Sequence, residues 1–251
     1  MNDLREVLMQ GGGITMYIVF LLLLLIYFAV IAVKEIRHQR KTQDDTSVTE
    51  KEKHKGYFQS IAWLWGAALV VFIMCYIGGI SLKEIGFRQI SFNYGFWFTA
   101  VTLTLGGIFF VYILYSLIAL LTSAKVREDA IKGTPGSITK YLPRTKKGKW
   151  LFSLLAFSAG VCEEIVFRGF LLFLAWSIFP GASLYFVVLI PILLFGTVHF
   201  YQGLQGVIRT AIFGTFFICL YLVTDSLVLP MLLHFLGDLV TAFFISEKDI
   251  T

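Results

Sequence analysis

The chain has 251 residues, 57% of them hydrophobic, and a mean hydropathy of +0.79. This composition is too apolar for a soluble globular protein and predicts an all-α polytopic membrane protein that is integral to the bilayer. The formal net charge is +5, but the basic residues cluster in two segments between apolar runs, which indicates membrane orientation and excludes nucleic acid as the expected partner.

The first part of the chain contains three apolar runs, at 14–33, 57–80 and 96–122. Each is long enough to cross the hydrocarbon layer, which takes about 20 helical residues. We therefore predict that residues 1–122 form an N-terminal unit of three transmembrane helices. The mixed polar and apolar segment 81–95 is expected to lie in the membrane interface as an amphipathic piece.

Lys and Arg are concentrated in two segments, 34–55 and 123–149, which two crossings separate. Basic loops stay on the cytoplasmic side, and an even number of crossings puts both segments on the same side. We therefore expect both to be cytoplasmic loops and the N-terminus to lie outside.

The C-terminal region, 150–251, is predicted to hold four more helices, so that the total is about seven. The apolar runs that predict them lie at 150–179, 182–200, 206–224 and 226–246. The odd number of spans returns the C-terminus to the cytoplasm.

Charged residues interrupt the fourth apolar run at Glu163, Glu164 and Arg168. Glu164 and Arg168 are four residues apart, so they share a helix face and can neutralise each other. Glu163 points about 100° away and has no such partner in its own helix. Ionisable groups in a membrane segment are costly and mark functional sites, so Glu163 is the candidate for chemistry.

Two of the four histidines, His199 and His234, lie in later apolar runs. Asp238 follows His234 by four residues, which suits a carboxylate that orients an imidazole. Phe195 precedes His199 by the same interval. The chain contains no His-Glu-x-x-His pattern, so a zincin-type metalloprotease is excluded on pattern.

Three motifs follow in order on three apolar helices: Glu163-Glu164-x-x-x-Arg168, Phe195-x-x-x-His199 and His234-x-x-x-Asp238. This set, over residues 150–246, resembles the membrane proteases of the CPBP family, the CAAX protease and bacteriocin-processing family. The family is related to the Ras-converting CAAX endopeptidase. The resemblance implies a membrane-embedded, metalloendopeptidase-like hydrolase that cleaves a membrane-associated or lipidated peptide or protein with a glutamate-activated water.

The resemblance also implies a role for each site residue. Glu163 is expected to be the general base, His199 to hold or activate the water, and His234 to donate to the oxyanion. The CAAX endopeptidase branch ends its last motif in Asn, which donates a hydrogen bond, whereas an ionised Asp238 only accepts one. Asp238 is therefore expected to orient and charge His234, or else to be protonated. The Glu164–Arg168 pair is expected to be structural.

Several alternatives stay open at this point. His199, His234 and Glu163 would give a nitrogen and oxygen donor set for a catalytic zinc, although the resemblance favours no cofactor. A catalytically silent regulator or scaffold that binds a partner membrane protein is the main non-enzyme alternative. Composition favours a bacterial cell membrane, and with it peptide maturation or bacteriocin self-immunity.

Overall fold

The computed structural model describes residues 2–41, 48–134 and 136–245, and within these ranges it contains helices and turns but no strands. The α-helices are α1 Asn2–Lys41, α2 Glu50–Gly78, α3 Phe96–Thr122, α4 Ala124–Lys132, α5 Gly136–Thr139, α6 Lys146–Glu163, α7 Leu172–Ile178, α8 Leu184–Val198, α9 Gly203–Thr224 and α10 Val228–Thr241. A π-helical segment, Glu164–Leu171, joins α6 to α7, and a 3-10 turn, Phe200–Gln202, joins α8 to α9.

Within the described ranges, five helical stretches are long and apolar enough to cross a membrane. They are Gly13–Lys34, Glu50–Gly78, Phe96–Thr122, Lys146–Ile178 and Gly203–Thr224. The all-α integral membrane class is therefore confirmed.

The other two predicted spans are shorter than expected: α8 has 15 residues and α10 has 14. At about 1.5 Å per residue each reaches only about 20 Å, against a hydrocarbon layer of about 30 Å. The predicted division at residue 150 and the count of seven crossings stay predictions, since five stretches among the described residues have full length.

The helix from Lys146 to Ile178 lies at the centre of the bundle. Its first part, α6, packs against α2 on one side and α10 on the other. A Cβ atom added at Gly160 would lie 2.7 Å from the backbone nitrogen of Phe235, so only glycine allows α6 and α10 to come this close. This contact sets the distance between α6 and α10 at the level of Gly160.

The segment between α2 and α3 forms a turn-rich cap on the end of the bundle, and its place in the membrane interface stays a prediction. Ile85 is fully buried, and its carbonyl oxygen would lie 2.6 Å from a Cβ added at Gly169 of the π-helical segment. Arg88 also pairs with Asp225 at 2.8 Å, which ties the cap to the end of α9. The segment is held by specific packing against the bundle, which its own periodicity could not indicate.

The opposite end of the bundle is held by polar contacts at the start of α2. The buried Lys53 donates from Nζ to Glu50 Oε1 at 2.8 Å and to the Leu142 carbonyl at 2.9 Å. Thr145 Oγ1 accepts from Gly148 N at the start of α6 and donates to Glu50 Oε2 at 3.1 Å. The basic loop before α6 is thereby attached to α2, so the N-termini of these two helices are fixed together.

Candidate active site

The first motif lies where the central helix changes from α to π geometry. Glu163 is the last residue of α6, and Glu164 and Arg168 belong to the π-helical segment, in which all eight residues are buried. A π turn widens the helix and redirects the side chains that follow it, and such turns often occur at functional sites. The two adjacent glutamates therefore reach different surroundings.

Glu164 and Arg168 form the ion pair expected from their spacing. Arg168 Nη1 donates to Glu164 Oε1 at 2.9 Å, and the two side chains are 1% and 0% exposed. Arg168 Nε and Nη2 and Glu164 Oε2 find no hydrogen-bond partner among the described residues. The guanidinium carbon instead lies 4.2 Å from the centre of the Phe195 ring, within the range of a cation–π contact.

Glu164 holds His234 through Nδ1, whereas Asp238, expected to orient and charge the ring or else to be protonated, faces the other ring nitrogen. His234 Nδ1 lies 2.7 Å from Glu164 Oε1, whereas its Nε2 lies 3.6 Å from Asp238 Oδ2, beyond hydrogen-bonding distance. A carboxylate accepts, so Nδ1 carries a proton and donates it to Glu164. The close approach of α10 to α6 at Gly160 brings the ring to Glu164, an effect that spacing within α10 could not indicate.

The other ring nitrogen of His234 faces two carboxylates. Glu163 Oε2 lies 3.7 Å from Nε2, slightly farther than Asp238 Oδ2. The Glu163 side chain is 17% exposed and that of Asp238 is 47% exposed, whereas Glu164 is fully buried. The site therefore has a closed side, at Glu164 and Arg168, and an open side, at Glu163 and Asp238, with the imidazole between them.

His199 joins the site through Phe195. The imidazole Nδ1 donates to the Phe195 carbonyl at 2.7 Å, since a carbonyl oxygen only accepts, and the two rings are 4.8 Å apart. The Phe195 ring lies 6.2 Å from the His234 ring at 90°, and Asp238 interacts electrostatically with both histidines. The three motifs thus meet around Phe195, whose ring is close to Arg168, His199 and His234.

Two further residues shape this site, and neither belongs to the three motifs. The ring of Phe217, on α9, stacks on His234 with a centroid distance of 5.1 Å and an interplanar angle of 15°. Gly214, one turn earlier, lets Phe195 approach, since a Cβ there would lie 3.1 Å from Phe195 Cδ1. Phenylalanine and glycine are both common in apolar helices such as α9, so no sequence pattern marked these two positions.

The geometry does not assemble the donor set expected for zinc. Among the described residues, no three His, Cys, Asp or Glu side chains are arranged so that they could hold a metal ion. His199, His234 and Glu163 therefore do not fit a zinc site in this arrangement, and no step below is assigned to a metal.

Residues 145–240 match the family model described as type II CAAX prenyl endopeptidase Rce1-like. This segment contains Glu163, His199, His234 and every other residue of the site. No curated protein and no solved structure matches the chain. This match confirms the resemblance predicted from the three motifs: residues 145–240 are similar to the Rce1-like CAAX membrane proteases.

Proposed function

We propose that this chain is an intramembrane endopeptidase that cleaves a peptide bond of a membrane-associated or lipidated peptide or protein with a water activated by Glu163. One observation carries the proposal: Nε2 of His234 faces the partly exposed carboxylate of Glu163, while Nδ1 of the same ring is held by the buried Glu164. A base and a donor are thereby positioned side by side at the boundary between the closed and open sides of the site.

In the proposed reaction Glu163 takes a proton from water, and the water oxygen attacks the peptide carbonyl carbon. The electron pair of the C=O bond moves to the oxygen, and the resulting oxyanion accepts a hydrogen bond from His234 Nε2–H. Glu163 then passes its proton to the amide nitrogen as the C–N bond breaks, which releases a carboxylic acid and an amine and returns Glu163 to its ionised form.

His234 needs a proton on each nitrogen for this role. Its Nδ1 proton is donated to Glu164, so Nε2 donates only when the ring is an imidazolium. Glu163 and Asp238, at 3.7 and 3.6 Å from Nε2, supply negative charge that stabilises this form. Asp238 thus contributes charge to the open side of the site.

His199 is proposed to hold the attacking water. Its Nδ1 proton is donated to the Phe195 carbonyl, so Nε2 is the ring nitrogen that we assign to the water. Both imidazoles lie against the Phe195 ring, and we assign them to different parts of the reaction: His199 to the water and His234 to the carbonyl oxygen.

The test compares cells that produce the wild-type chain with cells that produce Glu163→Gln or the control Glu128→Gln, an exposed carboxylate on α4. Mass spectrometry of membrane peptides should show intact precursors that accumulate only with Glu163→Gln and their cleaved forms with the other two. Purified wild-type protein should then cleave the accumulated precursor. Identical peptide profiles in all three strains would reject the protease and favour a regulator or scaffold.

The precursor identified in this way would also define the biological role. The site lies in a protein embedded in the bilayer, so we propose a substrate that reaches it from the membrane: a lipidated C-terminus, a leader peptide or a transmembrane stub. In a bacterial cell membrane, peptide maturation and bacteriocin self-immunity are the processes that supply such substrates.

A further inference from the structure

Phe217 lies outside the three motifs, yet it contacts two residues of the site. Its ring is 3% exposed and lies face to face with the imidazole of His234, at 5.1 Å and 15°. The guanidinium carbon of Arg168 lies 5.4 Å from the centre of the same ring. A single side chain from α9 therefore covers both His234, on α10, and Arg168, in the π-helical segment.

The single hydrogen bond at His234 Nδ1 does not define the orientation of the ring. The imidazole can still pivot about the line from Nδ1 to Glu164 Oε1, and such a pivot would carry Nε2 away from Glu163 and Asp238. A flat ring parallel to the imidazole at contact distance blocks the pivot on that face. The Phe195 ring, perpendicular to the imidazole at 6.2 Å, limits it from the edge.

Phe217 is itself held by a cluster of aromatic rings. Phe216 lies 5.4 Å from it, Phe213 lies 6.3 Å away and Phe109, on α3, lies 6.5 Å away. Close packing in apolar interiors leaves such rings little freedom. Of these four rings it is Phe217 that stacks on the imidazole, and Phe109 is its most distant neighbour in the cluster, at 6.5 Å.

We propose that Phe217 is a positioning residue: it holds the imidazole plane of His234 so that Nε2 faces the open side of the site between Glu163 and Asp238. This inference rests on the proposed peptidase function for its kinetic consequence. Small misplacements of a reacting group reduce catalysis strongly even when the substrate still binds. Loss of the ring should therefore lower kcat and leave KM nearly unchanged.

The experiment compares kcat and KM of purified Phe217→Leu, Phe217→Tyr and Phe109→Leu on the precursor that accumulates with Glu163→Gln. Phe109→Leu is the matched control, because it removes a ring from the same cluster and Phe109 packs on Phe213, Phe216 and Phe217. We expect Phe217→Leu to lower kcat by about tenfold or more, with KM within about twofold. Phe217→Tyr keeps an aromatic face and should restore most of the rate, and Phe109→Leu should stay close to wild type.

A second readout does not depend on turnover. The rate at which diethyl pyrocarbonate modifies His234, followed by mass spectrometry, should rise in Phe217→Leu and stay unchanged in Phe109→Leu, because only the first frees the ring to turn outward. Circular dichroism checks folding, and Phe217→Met replaces Phe217→Leu if the latter does not fold.

Equal losses of kcat in the two leucine variants, or a change in KM alone, would overturn the positioning role. Wild-type protein that cleaves nothing would instead reject the proposed function. The reactivity of His234 would then decide the inference: faster modification in Phe217→Leu than in Phe109→Leu supports it, and equal rates reject it.

Discussion

His234 and Glu164 are joined by a contact of 2.7 Å between Nδ1 and Oε1, which connects α10 to the π-helical segment. The same carboxylate oxygen accepts from Arg168 Nη1 at 2.9 Å. One oxygen atom thus neutralises a buried guanidinium and orients an imidazole, so the acid expected to be structural also orients the imidazole. Variants of Glu164 and Arg168 distinguish the ion pair from the orientation of His234.

Glu164→Gln should lower the stability of the protein, because it leaves Arg168 buried without a counter-charge. Breaking a buried ion pair by removing one partner typically costs about 3–5 kcal/mol. Thermal unfolding in detergent should show a clear decrease in Tm for Glu164→Gln and none for Glu163→Gln, which lies at the partly exposed edge of the site.

The double variant Glu164→Gln with Arg168→Met should recover part of that stability, since it removes the unpaired cation as well. Recovery should not extend to activity, because a neutral amide still replaces the charged carboxylate of Glu164 that holds His234 and favours its imidazolium form. A Glu164→Gln protein that keeps the wild-type Tm would contradict the role of the ion pair.

Asp238→Asn should be tolerated better than Glu163→Gln. Glu164, not Asp238, holds the His234 ring, and Asp238 supplies charge from 3.6 Å. We expect Asp238→Asn to stay folded and to lose only about fivefold in kcat, since an exposed ion pair contributes at most about 1 kcal/mol. Cleavage rates of the two variants on one substrate give the comparison, and complete loss in Asp238→Asn would show that its carboxylate has a direct role.

Gly160→Ala should destabilise the bundle, because the added Cβ would lie 2.7 Å from Phe235 N and 2.9 Å from Phe235 Cα. Backbone atoms cannot move aside as a flexible side chain does, so α6 and α10 must separate. Overpacking of this kind costs about 1–3 kcal/mol. Gly107→Ala is the control, since a Cβ there meets no atom within 4 Å. Equal Tm values for the two variants would mean that the helices are not in such close contact.

Active protein should contain no zinc, because the three candidate ligands are not assembled into a metal site. Catalytic zinc lowers the pKa of its bound water to about 7, and its removal stops the reaction. Elemental analysis of active enzyme and assays after treatment with a strong chelator check this. One equivalent of zinc, with activity that is lost on its removal and restored on its return, would make Glu163, His199 and His234 ligands.

The topology can be checked with single cysteines in a background without Cys75, Cys162 and Cys219. A cysteine at Glu128, in the basic segment 123–149, should be modified by a membrane-impermeant reagent only after the cells are opened. A cysteine at Asn93, in the cap, should be modified in intact cells. The reverse pattern would invert the assignment of the basic loops to the cytoplasm.

The sequence alone determined the class of the protein and the three motifs with their ionisable residues. Apolar runs of about 20 residues require helices in a bilayer, because hydrocarbon offers no hydrogen bonds to an open backbone. Charges and imidazoles within such runs stand out because their burial is costly. The spacing of Glu164 and Arg168 was enough to predict their ion pair, since it depends only on the geometry of one helix.

Only the tertiary structure showed which of these residues contact each other. Which carboxylate holds His234 depends on the approach of α10 to α6, and that approach depends on a glycine, Gly160, whose role is defined only by the helix it meets. The stacking of Phe217 on His234 joins residues on different helices, and nothing in the chain distinguishes that phenylalanine from its neighbours. Local rules act within a helix, over three or four residues, whereas these contacts are set by packing between helices, which sequence periodicity does not encode.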